Sequence, residues 1–313
     1  NKKASMFGSI AFAFGGFSLS WLEWGNIIHS SMWLPLILLS IDKILILFKN
    51  NSKTISPNFF KWSFIFIFSL VSSFFAGHLQ TFFYIAVFSV TYSLSKLYKA
   101  DYKIKKVLTL VFSGIVFLVI TSVQWLPTLN FILLSARELD QDWITTAGWF
   151  IPWQNAIQVL IPDFFGNPST LNYWGVWNYG EFISYLGVAT LIFATITVFR
   201  RDKKTLFFIG ALIIAVLFAF PTIFAKIPFH FTIPFISSAQ PTRLVFIIDF
   251  CLSILAALGL DYFIKEYKKK GVYSVLILFF IIFSLLWIFI IKFAGNISIE
   301  NLQVTRQNLI FPT

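Results

Sequence analysis

The residues best suited to chemistry are a few acids, histidines and arginines in a very apolar chain. Glu23 and His29 lie six residues apart, and a carboxylate near an imidazole could act as a general base or hold a divalent metal ion. His78 and Gln80 follow Gly77, which allows close backbone approach. Because polar residues in such positions are commonly packing or interfacial groups, the spacing alone does not define a site.

A second set of candidates lies in the long polar connection 135–181. It includes Asp163, Trp153, Trp174 and Glu181. Aromatic faces flanked by acids and amides suit stacking on sugar rings, hydrogen bonding to hydroxyls, or contact with an isoprenoid lipid. Trp and Tyr also gather at membrane interfaces without any binding role. Asp163 lies in a turn-rich stretch, where it could cap a turn or bind a ligand.

Three further candidates lie between residues 230 and 249. The planar guanidinium of Arg243 is well suited to phosphate, although an arginine here could equally extend to a lipid headgroup. Asp249 follows six residues later inside an apolar run, roughly 9 Å deeper along a helix. An acid at that depth is costly and is a functional candidate for that reason. His230 lies in the preceding polar connection.

Composition predicts the elements that position these residues. The chain is 58% hydrophobic and 12% charged, and 41 of its residues are Phe, whereas soluble domains carry about 25% charged residues. This predicts an all-α integral membrane protein, a polytopic bundle of about nine transmembrane helices with short interfacial helices in its long outer loop. The predicted spans are 4–20, 27–48, 60–76, 79–97, 107–126, 182–199, 205–225, 244–264 and 272–293, and a short interfacial helix is predicted at 153–161.

The charges predict the orientation of these spans. Basic connections alternate with connections that are not basic, which places all but five of the 24 Lys and Arg residues on one face. The positive-inside rule makes that face cytoplasmic. Residue 1 then lies inside, residue 313 lies outside, and all three histidines fall on the outer side. The net charge of +11 is therefore a topology signal and does not imply nucleic-acid binding. The five basic residues outside are Arg137, Lys226, Arg243, Lys292 and Arg306.

Several classes of function are disfavoured by the motifs. No phosphate-binding loop, dinucleotide fingerprint, nucleophile elbow or zincin helix occurs in the sequence, and no cofactor is evident. One cysteine and three histidines exclude a Cys/His zinc cluster. A divalent metal ion on other ligands stays open, and no residue is assigned as a metal ligand. The expected organisation is a transmembrane domain over 1–293 and the start of an extracytoplasmic segment over 294–313, within a longer polypeptide.

The order of several motifs resembles the YfhO-type family of bacterial membrane proteins. They are WGNIIH at 24–29, WLPLILL at 33–39, AGHLQTFFY at 76–84, WLP at 125–127, LIPDFFG at 160–166, PTR at 241–243 and LAALGLD at 255–261. The resemblance implies membership of the GT-C class of polytopic glycosyltransferases, located in the bacterial cytoplasmic membrane. Such enzymes transfer a sugar from a polyprenyl-phosphate carrier to an extracytoplasmic acceptor, and YfhO itself is linked to lipoteichoic acid.

In that class the acidic catalytic residue usually lies in the first outer loop. The resemblance places that loop upstream of residue 1, which leaves Glu23 and Asp163 as the catalytic candidates within this chain. The expected partners are membrane lipids, a polyprenyl-phosphate-linked sugar donor and an envelope glycopolymer or glycolipid acceptor. Arg243 is expected to contact donor phosphate. The remaining substrate-binding candidates are His29, His78, Gln80, Trp153, Trp174, Glu181, His230 and Asp249.

Two other functions stay open on the sequence. A transporter or flippase of envelope lipids would have broken helices and polar residues near the middle of several spans, whereas here the polar residues concentrate at the outer ends and Asp249 is nearly alone. A membrane scaffold for envelope assembly would use the outer aromatic residues to bind a partner.

Overall fold

The structure is a computed structural model, and it describes residues 1–47, 57–98, 100–134, 148–176, 178–233, 236–237, 239–266, 269–292, 295 and 297–313. Within these ranges the regular elements are all helices. The chain divides into two compact units, one formed by Asn1–Ser20 with Asp142–Thr313 and one formed by Trp21–Gln141. All-helical architecture is therefore confirmed for the described residues.

The first unit is built around one long apolar helix, Val245–Glu266, called α12. The other helices of this unit are α1 (Lys2–Ala13), α2 (Gly16–Ser20), α8 (Tyr179–Phe182), α9 (Val188–Ile196), α10 (Lys203–Ala219), α11 (Ile223–His230), α13 (Lys269–Lys292) and α14 (Ile299–Ile310). Short 3-10 helices cover Trp153–Val159, Pro168–Thr170, Thr197–Phe199 and Pro241–Leu244. The first of them lies within the predicted helix 153–161.

Small residues let the helices of this unit approach closely. Helix α12 packs against α9, α1 and α10. A Cβ atom at Gly8 of α1 would lie 2.7 Å from the Ser253 carbonyl oxygen, and one at Gly259 of α12 would lie 1.9 Å from the Phe193 carbonyl oxygen. Glycine at both crossings is what permits this spacing, as is common where apolar helices associate.

The predicted span 4–20 is interrupted in the structure. Helix α1 ends at Ala13 and α2 begins at Gly16. The backbone N–H of Gly16 donates to the Tyr185 carbonyl oxygen at 2.8 Å, in a segment between α8 and α9 that is itself irregular. The break after α1 thus supplies a backbone N–H, and the irregular segment between α8 and α9 supplies the carbonyl oxygen that accepts it. Buried backbone groups require such partners.

The second unit consists of α3 (Asn26–Ser31), α4 (Leu34–Leu47), α5 (Pro57–Phe75), α6 (Leu79–Leu97) and α7 (Lys103–Leu133). The Ser73 hydroxyl of α5 donates to the Ser30 carbonyl oxygen at 2.9 Å. Asp42 of α4 accepts from the Tyr92 hydroxyl at 2.9 Å and lies 3.1 Å from Lys96 Nζ, both on α6. These polar links join helices whose other contacts are mostly apolar.

Five helices of the described chain are long and apolar enough to cross a membrane: Asn26–Leu47, Pro57–Phe75, Lys103–Ile132, Pro241–Lys265 and Gly271–Lys292. The pair α10 and α11 would make a sixth, bent by 63° at its break, and Val188–Phe199 is a shorter apolar helix. These helices match six of the predicted spans in position.

The outward faces of these helices are strongly apolar. Val123 of α7 and Phe280 of α13 are each 73% exposed, and few side chains of either helix are buried. Contiguous apolar surface of this kind is typical of contact with lipid rather than water. The chain is a helical protein with membrane-embedded character.

Candidate functional site

The structure pairs two of the predicted site residues. Arg243 Nη2 lies 2.8 Å from Glu181 Oε1, and the Thr242 hydroxyl donates to Glu181 Oε2 at 2.8 Å. Asn178 Nδ2 approaches Glu181 Oε1 at 3.3 Å. The Glu181 and Thr242 side chains are buried, so this ion pair lies inside the first unit.

Local sequence explains how the pair forms. Pro241 occupies the first turn of the 3-10 helix Pro241–Leu244, where its fixed φ suits a helix start. That turn holds Thr242 and Arg243 directly ahead of α12. On the other side, Asn178 adopts a left-handed conformation with φ of 68° at the start of α8, a conformation that asparagine tolerates better than most residues. Helix α8 then presents Glu181.

The electrostatics of Glu181 are set by opposing effects. Burial raises the pKa of its carboxyl above the ordinary value, and the Arg243 guanidinium and the Thr242 hydroxyl act against this shift without cancelling it. Burial disfavours the charged form, whereas a nearby cation and a hydrogen-bond donor favour it. The carboxyl is therefore easier to protonate than an exposed glutamate.

Asp163, predicted to cap or to bind, accepts hydrogen bonds from two side chains. The Tyr179 hydroxyl donates to Asp163 Oδ1 at 2.6 Å, and Asn167 Nδ2 donates to the same oxygen at 3.0 Å. Burial, followed by the Asp163 carboxylate, raises the pKa of Tyr179. Since Tyr179 and Glu181 both belong to α8, this short helix connects the Asp163 cluster with the Glu181–Arg243 pair.

The turn around Asp163 also binds helix α14 through hydrogen bonds. Asn308 Nδ2 of α14 donates to the Asp163 carbonyl oxygen at 2.7 Å, and the Thr305 hydroxyl donates to the Phe164 carbonyl oxygen at 2.9 Å. Leu309 of α14 is completely buried, in a cluster with Phe164. The turn is thus polar and is also packed against α14.

Asp249 is buried, with only 2% of its surface exposed. The Ser184 hydroxyl donates to its Oδ1 atom. Within the described residues Oδ2 has no hydrogen-bond partner, and it lies 3.4 Å from where a Cβ atom of Gly15 would stand. The carboxylate therefore faces the interruption between α1 and α2.

Of the two candidate aromatic residues, one is exposed and one is packed. Trp153 is 60% exposed and stacks on Phe220 with ring centroids 4.9 Å apart. Trp174 contacts Phe165 edge to face at 4.9 Å. Trp153 thus offers an aromatic surface to a ligand, while Trp174 belongs to the cluster around Ile161 and Leu309.

Four candidates belong to the second unit. Glu23 and His29 are exposed. His78 begins α6, where its Nδ1 atom accepts from the Thr81 backbone N–H at 3.2 Å, and Gln80 Nε2 donates to the Tyr84 hydroxyl at 3.2 Å. His78 therefore has a structural role as a helix cap.

His230, in the first unit, is exposed at the end of α11 and contacts the ring of Phe231. Among the residues that the structure describes, no three His, Cys, Asp or Glu side chains come close enough together to hold a metal ion.

Sequence reasoning missed Thr242, Ser184 and Tyr179. Thr242 adjoins Arg243 in the chain, so its involvement could have been anticipated. Ser184 and Tyr179 are ordinary residues of the outer connection and its boundary, and their partners lie 65 and 16 residues away. Nothing in their own spacing indicates those contacts.

Comparison of the chain with models of known protein families, with curated proteins and with solved structures found no match.

Proposed function

We propose that the chain is part of a membrane glycosyltransferase that passes a sugar from a polyprenyl-phosphate carrier to a cell-envelope acceptor, such as lipoteichoic acid, outside the cytoplasm. The observation that carries the proposal is the connected cluster on α8. There Tyr179 binds Asp163, and two residues later Glu181 binds Arg243. Helix α8 thus contacts both the Asp163 carboxylate and the Arg243 guanidinium.

In the proposed reaction the donor phosphate lies against Arg243. Asp163 accepts the proton of an acceptor hydroxyl, whose oxygen attacks the anomeric carbon. The bond from that carbon to the phosphate oxygen breaks, and the phosphate leaves with the electron pair. A cation near the leaving oxygen stabilises its developing charge. Glu181 acts as a positioning residue that orients the guanidinium, and the exposed ring of Trp153 offers a stacking surface for sugar or isoprenoid.

The proposed topology has nine spans, with residue 1 in the cytoplasm and residue 313 outside in the bacterial cytoplasmic membrane. Beyond the five long helices, it uses the broken pairs α1–α2 and α10–α11, the helix α6 and the helix Val188–Phe199. Contacts between residues that are predicted to share a face support it. Asn308 meets Asp163 on the predicted outer side, and Arg200 meets Asp261 on the predicted inner side.

The test is sugar transfer by membranes that carry the full-length protein. Radiolabelled polyprenyl-phosphate glucose and N-acetylglucosamine are supplied separately with lipoteichoic acid as acceptor. We expect Arg243→Ala to lower transfer roughly a hundredfold, the loss typical of removing one charge-stabilising donor. Arg306→Ala is the matched control, because Arg306 is an exposed cation on the same predicted face.

Protein amount and thermal unfolding in detergent are measured for each variant, since Arg243 is also part of a buried pair. Glu181→Gln provides a second variant that keeps the guanidinium, and we expect it to lower transfer less than Arg243→Ala. Unchanged donor turnover in a normally inserted Arg243→Ala protein would contradict the proposal.

A transporter or flippase is the second candidate, and one observation favours it. Asp249 faces the interruption between α1 and α2, and interrupted helices around a buried carboxylate are typical of transporter sites. Vesicles with the purified full-length protein and fluorescent polyprenyl phosphate distinguish the two. Lipid movement that is lost in Asp249→Asn but retained in Arg243→Ala, without sugar transfer, would favour the transporter.

A further inference from the structure

A cavity lies at the opposite end of α12 from Arg243. Its volume is about 460 Å³, within the roughly 300–1,000 Å³ of ligand pockets. Asp261 and Lys265 of α12 line it, together with Arg200, Arg201 and Asp202 from the connection before α10. Eighteen residues separate Asp261 from Arg243, or about 27 Å along a helix, so the cavity is not part of the candidate transferase site.

Two of the three cations are already bound by carboxylates. Arg200 Nη1 lies 3.3 Å from Asp261 Oδ2 and its Nε atom contacts Asp202, while Lys265 Nζ lies 3.0 Å from Asp261 Oδ2. Burial acts to raise the pKa of Asp202, but the backbone N–H of Thr205 and the Arg200 guanidinium outweigh it and hold that pKa below its ordinary value. Asp202 therefore stays charged beside Arg200, while Asp261 lies within ion-pair distance of both Arg200 and Lys265.

Arg201 is the remaining cation. It is exposed, and within the described part of the chain it makes no hydrogen bond or ion pair. With three cations against two carboxylates, the lining carries one net positive charge, and Lys203 and Lys204 follow directly in the sequence. A planar arginine guanidinium in the lining of a basic cavity is suited to a phosphate group.

Exposed apolar side chains lie close in the sequence to the residues that line this cavity. Phe199, which lines it, is 45% exposed. Leu206 of α10, four residues after Asp202, is 58% exposed, and Ile264 of α12, next to Lys265, is 47% exposed. A ligand with a phosphate in the cavity could place hydrocarbon chains along these surfaces. Free phosphate would use the cations but gain nothing from the apolar ones, so the combination favours an amphiphile.

We infer that the Arg200–Arg201–Lys265 cavity binds the phosphate of an anionic phospholipid headgroup at the end of the bundle opposite Arg243. Arg201 makes the direct contact, while Arg200 and Lys265 are held by Asp202 and Asp261. Basic cavities between membrane helices on the cytoplasmic side are known to suit such headgroups. The inference does not depend on the transferase proposal.

The experiment is native mass spectrometry of the delipidated full-length protein in detergent, titrated separately with phosphatidylglycerol and phosphatidylethanolamine. We expect phosphatidylglycerol to bind more tightly, and Arg201→Ala to weaken that binding about five- to tenfold, the effect of one cation near a headgroup. Arg201→Gln is a second variant with the same expectation.

Lys203→Ala is the matched control, because it removes the same charge two residues away without altering the cavity lining, and we expect less than a twofold change. Equal losses in Arg201→Ala and Lys203→Ala would show diffuse surface attraction and overturn the inference, as would no loss in either Arg201 variant. Full displacement of the lipid by millimolar inorganic phosphate would assign the cavity to free phosphate instead and likewise overturn it.

Discussion

Gly259 of α12 stands directly against the carbonyl oxygen of Phe193 on α9, at a distance that leaves no room for a side chain. This contact lies at the most extensive helix crossing of the first unit. Because the opposing atom belongs to the backbone, it cannot rotate away from an added methyl group, and the two helices would have to separate.

We therefore expect Gly259→Ala to lower the free energy of unfolding by about 1–3 kcal/mol, the usual cost of overpacking. Gly210→Ala is the control, since no atom lies within 4 Å of a Cβ added there on α10. The measurement is thermal unfolding in detergent followed by tryptophan fluorescence. Equal unfolding temperatures for the two variants would refute the contact.

The Glu181–Arg243 pair predicts a strong coupling energy. Removing one member of a buried pair leaves the other charge without that partner, which typically costs about 3–5 kcal/mol. We expect Arg243→Gln to destabilise the protein, because the buried Glu181 carboxylate loses its cation. Glu181→Gln should change stability less, because the neutral amide avoids the cost of burying a carboxylate. The double variant should lose clearly less than the sum of both. A double-mutant cycle from unfolding temperatures measures this. Additive losses would mean that the two side chains do not interact.

The raised pKa of Glu181 predicts a pH dependence of stability. The carboxyl binds a proton more readily in the folded chain than in the unfolded chain, where its pKa is near the ordinary value of 4.5. Its contribution is therefore fully present below pH 4.5 and is lost as the pH rises through the folded value.

Unfolding temperatures of the native protein and of Glu181→Gln, measured in the same detergent from about pH 4 to pH 8, test this dependence. The native protein should lose stability relative to the variant as the pH rises. A difference that stays constant, or that grows in favour of the native protein, would show that burial does not dominate at Glu181.

The packing of α14 predicts that loss of one buried side chain destabilises this helix and the turn beneath it. Leu309 is completely buried, whereas its neighbour Ile310 is 66% exposed. Leu309→Ala should cost about 2–5 kcal/mol by leaving a cavity, and Ile310→Ala should cost little. Hydrogen exchange should rise in Ile299–Ile310 and in residues 163–167 for the first variant alone. Identical exchange in both variants would indicate that α14 is not packed there.

Much of the helix content could be predicted from the sequence, because long apolar runs admit few other structures. The helices Pro57–Phe75 and Leu79–Leu97 closely match the predicted segments 60–76 and 79–97. The bend between α10 and α11 surrounds Phe220–Thr222, and Pro221 could have signalled it.

The break after α1 was less predictable. Gly15 and Gly16 lie within a continuous apolar run, and two glycines weaken a helix without obliging it to end. The break is fixed by residues far along the chain, since Leu186 and Ile183 occupy the space that side chains at residues 15 and 16 would need.

The candidate site, too, could be predicted only in part from the sequence. Glu181, Arg243 and Asp249 were each singled out as polar residues near apolar runs, but the sequence does not show that Glu181 pairs with Arg243 or that Asp249 is bound by Ser184. These partners lie 62 and 65 residues apart, and their approach depends on how α9 and α12 pack.

The hydrogen bond from Gly16 to Tyr185 has a consequence for biosynthesis. A ribosome completes residue 16 well before residue 185, so the segment that holds Gly16 is made before most of the helices that follow it. During that interval its backbone amide must find water, a neighbouring lipid headgroup or a temporary intact helix. The hydrogen bond that joins the two irregular segments thus forms late in assembly, once the segment around Tyr185 has been made.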